Sequence, residues 1–365
     1  MGEKLRVALN ASALPRRPAG AGVYTLELGR ALGARADIEL LAAAPAGAWA
    51  GAHWATPRGV VSRTAWEQVR LPGEMRRSDV DIHHGAHFAT PWRCDVPRVA
   101  TVHDLTFYRL GRRYDWKHRW YYKALAHTAT RAERIIVPSA GVAGDVVRYL
   151  GYPVERIRVI AEAPRAGWHA AFDQDVARAR KRLAIDGPYL LMVGTAEPGK
   201  RAIDGIRATQ LLRECGVDTQ LVLAGNPGGL DAPLRREAER LGVASSVRFA
   251  GYVDDDELRA LYTGAAALLF LSLYEGFGLP PLEAMACGTP VIATRRPAMD
   301  DVLGNAAVFV PARDPRAVAD AAETILHNTD TRDDLGQRGR EHASRFSWET
   351  AAGETVEVYR EVARR

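Results

Sequence analysis

The chain of 365 residues carries 49 Lys and Arg against 44 Asp and Glu, a formal net charge of +5, and is 47% hydrophobic. That length suits two domains, each able to bury a core; the small charge excess gives no argument for a nucleic-acid partner but suits an anionic nucleotide or an anionic membrane surface. Cys94, Cys215 and Cys287 form neither a disulfide framework nor a metal spacing, the first residues hold no apolar signal core, and no apolar run reaches membrane-spanning length, which points to a reducing cytoplasm.

In chain order, the first half alternates short apolar runs with helical stretches. Strands are expected at Arg6–Leu9, Ile38–Leu41, Val80–His83, Arg98–Val102, Ile135–Val137 and Ile157–Ile160. The pattern starts again with Tyr189–Val193, Gln220–Ala224, Val247–Phe249, Ala266–Leu271, Val291–Ala293 and Ala307–Val310. Apolar runs separated by helices read as parallel sheets covered on both faces, and two such series give two Rossmann-like halves. The small-residue stretch Ala163-Pro164-Arg165-Ala166-Gly167 marks the boundary, and Thr350 to Arg365 reads as a final helix.

Residues with chemistry fall at the ends of the expected strands. Gly20 and Gly22, in Pro18-Ala19-Gly20-Ala21-Gly22-Val23-Tyr24, allow a tight turn before a helix; turn chemistry alone explains them equally well, and no acidic residue completes a dinucleotide fingerprint. His83, His84 and His87 fit no defined metal spacing. His103, in Thr101-Val102-His103-Asp104-Leu105, closes a strand at the end where open α/β sheets bind ligands; a structural and a ligand-facing histidine both stand. Arg112 to Lys123 is the densest basic-aromatic segment, with Trp116, Trp120 and Lys123 on one helical face. It suits a membrane interface, a platform for an acceptor sugar, or a surface helix packed on its own domain.

Further along, Lys200 and Arg201 stand at the mouth of the strand Tyr189–Val193, after Gly194-Thr195-Ala196-Glu197-Pro198-Gly199. A cationic pair there suits a leaving diphosphate, or simply a solvated helix start. Gly225 and Gly251-Tyr252-Val253 follow two more strands. The most informative block runs from Tyr274 to Ala293, with seven residues between the carboxylates Glu275 and Glu283. Gly276 and Gly278 permit a sharp turn; Pro280 and Pro281 suit the first positions of a helix that ends near Cys287-Gly288. Amides from Phe277 to Leu282 are then expected to point out of the helix start, as an anion requires. Glu283 is placed in the first turn. The two acids would repel a phosphate, so their sensible task is to accept hydrogen bonds from sugar or ribose hydroxyls; complementing the helix dipole is the bland alternative for Glu283.

This block resembles the signature of retaining glycosyltransferases of family 4, written around E-G-F-G-L-P-x-x-E-A-M-A-x-G-x-P-V, and flanking stretches extend the resemblance over almost the full length. The resemblance is nearest to the mannosyl- and rhamnosyltransferase branch. It implies the GT-B architecture, α/β with two Rossmann-like domains facing across a cleft. Residues 1–165 would form the acceptor-side domain, with the helix 350–365 crossing back onto it, and residues 166–349 the donor-binding domain.

The resemblance also implies roles. His103, Lys200 and Glu275 are the catalytic candidates. Gly20, Gly22, Lys200, Arg201, Gly225, Val253, Glu275, Gly276, Phe277, Gly278, Leu279 and Glu283 are the donor-binding candidates. His103 would support the developing oxocarbenium ion, Lys200 would contact the diphosphate, and Val253 the nucleobase. Gly199 stands where the family has a basic residue, Arg201 where Asn is common and Thr195 where many relatives have Arg, so one cationic partner is absent or displaced onto Arg201. The implied activity is metal-independent transfer of a hexose, mannose first, from a nucleotide diphosphate sugar, GDP-mannose first, to a hydroxyl of a glycan, lipid-linked or small-molecule acceptor. The implied mechanism is front-face displacement, with the leaving diphosphate helping to deprotonate the acceptor. No cofactor is expected beyond that co-substrate. The chain is expected in the cytoplasm, in polysaccharide synthesis, with peripheral contact to the inner face of the membrane through residues 112–123. A same-fold phosphorylase, a nucleotide-sugar epimerase and a non-catalytic nucleotide-sugar-binding protein are the alternatives.

Overall fold

The computed structural model describes residues 4–109, 116–226 and 228–363. The chain divides into two units, Met1–Ala166 with Ser347–Arg365, and Gly167–Phe346. The first unit runs β1 (Leu5–Asn10), α1 (Ala21–Gly33), β2 (Ile38–Pro45), β3 (Trp54–Thr56), α2 (Val60–Ala65), α3 (Leu71–Arg77), β4 (Ile82–Gly85), β5 (Arg98–Thr101), α4 (Thr106–Arg109), α5 (Trp116–Ala129), β6 (Arg134–Val137), α6 (Ala140–Leu150) and β7 (Ile157–Val159). The second runs α7 (Asp173–Leu183), β8 (Tyr189–Val193), α8 (Ala202–Glu214), β9 (Gln220–Ala224), α9 (Asp231–Arg240), β10 (Val247–Gly251), α10 (Asp255–Gly264), β11 (Ala267–Phe270), α11 (Leu279–Ala286), β12 (Val291–Thr294), α12 (Pro297–Leu303), β13 (Val308–Val310), α13 (Pro315–His327) and α14 (Thr329–Ala343). The chain then returns to the first unit with α15 (Trp348–Ala363).

Sheet one has the order β3-β2-β1-β4-β5-β6-β7, and its pairings are parallel. Its central strands are buried along their whole inner length, Val7 to Leu9, Ile82 to Gly85 and Val99 to Thr101, as a sheet sandwiched between helices requires. Two differences from the sequence reading have simple causes. The edge strand β3 was not expected, because three residues are too few to show alternation. β4 lies two residues later than expected: Val7 pairs with Ile82 and Leu9 with His84, so both histidines fall inside the strand. Order reverses between β1 and β4, so the loops after these strands diverge and open a crevice at their C-terminal ends.

The closing helix α15 starts at Trp348, two residues before the expected Thr350. Its stripe of Trp348, Ala352, Val356 and Tyr359 is buried, and it packs on α1, β4 and β5. Glu361 ties it to β6 and β7 through Arg134 and, at 3.0 Å, Arg158.

Sheet two has the order β10-β9-β8-β11-β12-β13, again parallel, with its reversal between β8 and β11. Leu190, Leu221, Leu269 and Ile292 join Ile206, Leu212 and Ala322 in one core. The unit is therefore a Rossmann-like fold in its own right, and its switch point is where the most informative segment of the sequence arrives.

Candidate functional site

In the second unit, the loops after β8 and β11 meet at the switch point. Lys200 ends the short 3₁₀ turn Pro198–Lys200 that leads out of β8, and Glu275 lies in the loop between β11 and α11. Lys200 Nζ donates to Glu275 Oε1, and the Leu273 amide donates to the Gly199 carbonyl at 2.9 Å, so the two loops hold each other. Both side chains stay partly exposed, 31% for Lys200 and 18% for Glu275. Beside them a pocket opens over the ends of β8, β9, β10 and β11, lined by Gly194, Thr195, Lys200, Gly225, Gly251 and Ser272. Its lining combines apolar side chains, among them Met192, Leu223, Phe249 and Phe270, with glycines that keep room for a ligand. Gly225 has φ +142°, and a Cβ there would come within 2.1 Å of the Gly194 carbonyl oxygen. The result is a cation, a carboxylate and a glycine-lined recess together, one group for an anion and one for a hydroxyl.

The helix start itself differs from expectation. Gly278, at φ +108°, caps α11, and Leu279 is its first residue, so the two prolines fill the second and third positions. Neither proline has an N–H, and the Leu282 amide already reaches the Gly278 carbonyl at 3.5 Å. The amide cradle expected from Phe277 to Leu282 therefore shrinks to amides before Pro280. Gly276, Phe277, Gly278 and Leu279 are buried, with the Phe277 ring edge-on to Phe346 at 6.0 Å. Glu283 lies in the second turn of α11, not the first; it is 3% exposed and accepts from the Tyr262 hydroxyl at 3.3 Å. Arg201, in the left-handed region at φ +58°, is held by both oxygens of Asp204, at 2.7 and 2.6 Å, and does not line the pocket. A buried carboxylate one helical turn away takes the charge the sequence offered to a phosphate. Val253 is buried and also off the pocket lining.

In the first unit, His103 follows β5 and is 8% exposed. Its Nδ1 faces Glu162 Oε1 at 3.0 Å, its Nε2 faces the Ala86 carbonyl at 2.9 Å, and the Tyr24 ring packs against it in a T-shaped arrangement with 4.6 Å between ring centres. Burial opposes its charge, but the bond to Glu162, the Glu162 charge and the Ala86 carbonyl outweigh it and raise the pKa from its ordinary value. Behind it runs a buried chain. The Tyr24 and Thr101 hydroxyls share a hydrogen bond of 2.9 Å, Thr101 meets His84 Nε2 at 2.8 Å, and His84 Nδ1 meets the Tyr359 hydroxyl of α15 at 2.6 Å. Burial, then the neighbouring His83 and His103, push His84 down to about 3, so it is neutral. Gly20 caps α1 at φ +50°, whereas Gly22 lies within the first turn of that helix.

The three other histidines do not converge. His83 and His84 alternate across β4; His84 is committed to Tyr359 and Thr101, and His87 stacks on His103 at 5.9 Å. Of the basic-aromatic segment, residues 112–115 lie outside the described residues. Trp116 and Trp120 are each 72% exposed, while Tyr122 stacks on Phe107 at 5.7 Å and Lys123 stands 4.6 Å from the Tyr108 ring centre. Sequence reasoning missed Glu162 and Ser272. Both sit just past a strand's C-terminal end, the same position that singled out His103, and that position was the available signal.

A family model described as "Glycosyl transferases group 1" matches residues 173–342, and one described as "Glycosyltransferase Family 4" matches residues 18–162. O-antigen chain mannosyltransferase B of Escherichia coli is 31% identical over 284 residues, 76% of this chain and 74% of that protein. D-inositol 3-phosphate glycosyltransferase 2 of Catenulispora acidiphila is 34% identical over 62% of this chain, but the match spans only 56% of that protein, little more than half its length. Among solved structures, WaaG, a glycosyltransferase involved in lipopolysaccharide biosynthesis, superimposes with a TM-score of 0.77 over 97% of this chain and 99% of its own, at 17% identity. At that identity the likeness is one of fold.

Proposed function

The chain belongs to glycosyltransferase family 4 and has the GT-B pair of Rossmann-like domains; on that premise we propose that it is a retaining, metal-independent hexosyltransferase that uses a nucleotide diphosphate sugar. The observation that carries this reading is the Lys200–Glu275 pair beside a glycine-lined recess at the switch point of the second unit. An arriving diphosphate competes for Lys200 and frees Glu275 to accept from a sugar hydroxyl. The backbone of Gly194, Gly225 and Gly251 leaves room for the nucleotide.

Mannose from GDP-mannose is the preferred donor reading, supported by the Escherichia coli mannosyltransferase at 31% identity. In the transfer, the bond from the anomeric carbon to the diphosphate breaks and a bond to the acceptor oxygen forms on the same face. The acceptor proton goes to the departing diphosphate. His103 supports the sugar without taking that proton, because acceptors already face both its ring nitrogens. The acceptor is a hydroxyl of a glycan, a lipid-linked saccharide or a small molecule. Exposed Trp116 and Trp120 on α5, with exposed Val60 and Val61 on α2, provide peripheral contact with an inner membrane face. Among the described residues no helix is long and apolar enough to cross a membrane.

Thermal-shift measurements with UDP-, GDP-, dTDP- and ADP-sugars test the donor, since a ligand of the folded state stabilises it by mass action. GDP-mannose should give the largest shift. Lys200→Ala and Glu275→Ala should abolish transfer while leaving the circular dichroism spectrum intact. Full transfer by either variant, or no shift with any donor, overturns the assignment. Release of sugar phosphate on adding inorganic phosphate would select the phosphorylase instead.

A further inference from the structure

The bond between His103 and Glu162 has a consequence for the charge of the site. A carbonyl oxygen only accepts, so the Nε2 atom facing Ala86 at 2.9 Å carries a hydrogen. With Glu162 as a carboxylate, which only accepts, the Nδ1 atom facing it at 3.0 Å carries one too; a protonated Glu162 would instead donate to a neutral ring, the alternative that the charge state of the ring decides. Two acceptors on one ring are satisfied together only by the imidazolium, and a charge-assisted bond to a carboxylate is stronger than its neutral counterpart. Glu162 is 5% exposed, so little water screens it from the ring.

We propose that Glu162 is the positioning residue for His103: it holds the ring as an imidazolium clamped between its own carboxylate and the Ala86 carbonyl, so that His103 meets the substrate as a fixed group with no lone pair for a proton. The assignment of a substrate to His103 rests on the transferase reading above; the clamp itself does not. Other groups around the ring agree with it. Asp104, next in the chain, adds negative charge while its carboxylate caps α4 through the Thr106 amide at 2.8 Å. His87, after β4, and His84, on β4, are both pushed down to about 3, first by burial, and bring no competing cation. Tyr24, on α1, packs against the ring in a T-shaped contact and is itself tied through Thr101 and His84 to Tyr359. With both nitrogens bonded and Tyr24 packed against it, the ring is held against flipping. The Glu162–His103 pair is neutral as a whole, so it orders the end of β5 without placing a net charge beside the sugar.

Two-bond ¹H–¹⁵N spectra of the whole protein labelled in histidine read the charge state without any substrate, with His103 identified by the signal missing from His103→Asn. In the native chain both ring nitrogens should stay protonated from roughly pH 6 to 8, across the ordinary histidine range. In Glu162→Gln, which keeps the shape and removes the charge, the ring should lose its Nδ1 proton within that window. Glu162→Asp should retain the cation. A neutral His103 in the native protein near pH 7, or a Glu162→Gln variant that titrates like the native chain, overturns the proposal whatever the enzyme transfers. Kinetics supply the second arm. Glu162→Gln should lower kcat on the order of tenfold at the alkaline end with donor KM changed less than about twofold, the loss shrinking toward acid pH and Glu162→Asp restoring part of it. A loss of equal size at every pH would mark a merely structural role and overturn it as well.

Discussion

Four histidines contribute to the response to pH, and His87, pushed down to about 3 chiefly by burial, acts in the same direction as His83 and His84. His83 and His84 are wholly buried, and burial, the leading cause for both, pushes each down to about 3. In the unfolded chain they take up protons near their ordinary value, about 6.5, so between those limits the unfolded state binds more protons. Stability therefore falls as pH drops from about 6.5 toward 3, by roughly 1.4 kcal/mol per pH unit for each histidine. His103 works the other way. Its raised pKa contributes stability that is fully present below its unfolded value and is lost as pH rises through the folded one. Melting temperature should thus decline on the acid side and, through His103, begin to decline on the alkaline side; a flat profile between pH 4 and about 6.5 would refute the neutral state of His83 and His84. Gly225 is the other decisive single residue. Gly225→Ala forces a side chain into φ +142° and against the Gly194 carbonyl, so a loss on the order of 3 kcal/mol is expected in urea melts, together with loss of nucleotide binding.

At the scale of elements, α15 matters most, because it belongs by packing to a unit from which the sequence separates it by about 180 residues. It covers α1, β4 and β5, and its Tyr359 closes the hydrogen-bond chain behind His103. Ending the chain at Phe346 would bare that face and leave His84 Nδ1 without its partner, a buried loss of about 1–3 kcal/mol before any apolar area is counted. Limited proteolysis of such a truncation should cut residues 4–166 rapidly while 167–346 persists; equal protection of both stretches would show that α15 is dispensable. Element α11 shows why its helical start could be read and its ligand geometry could not. Glycine and proline announced the start, but which positions the prolines take decides how many amides remain, and a shift by one residue moved Glu283 into the second turn.

For the whole molecule, the two units carry separate cores and the donor reading assigns the nucleotide to only one of them. A nucleoside diphosphate without sugar or acceptor should therefore raise the stability of 167–346, by about 2.7 kcal/mol at a hundredfold excess over its Kd. Hydrogen exchange would show this as added protection in β8, β9 and β11 with none in β1, β4 or β5. Protection appearing first in the other unit would reverse the assignment of roles.

The sequence by itself determined the α/β class, two series of parallel strands, a helix opening at the Pro280-Pro281 pair to within a residue, and the positions of His103, Lys200 and Glu275 at strand ends, because apolar runs and Gly-Pro punctuation are local signals. Only the tertiary structure decided who pairs with whom. Glu283 is claimed by Tyr262 from 21 residues away, His84 by Tyr359 from 275, and His103 by Glu162 from 59. A charge in a sequence is an offer to any opposite charge or dipole, and the fold alone fixes which partner comes within hydrogen-bond reach and away from water, where the interaction is strong enough to set a group's protonation and its role.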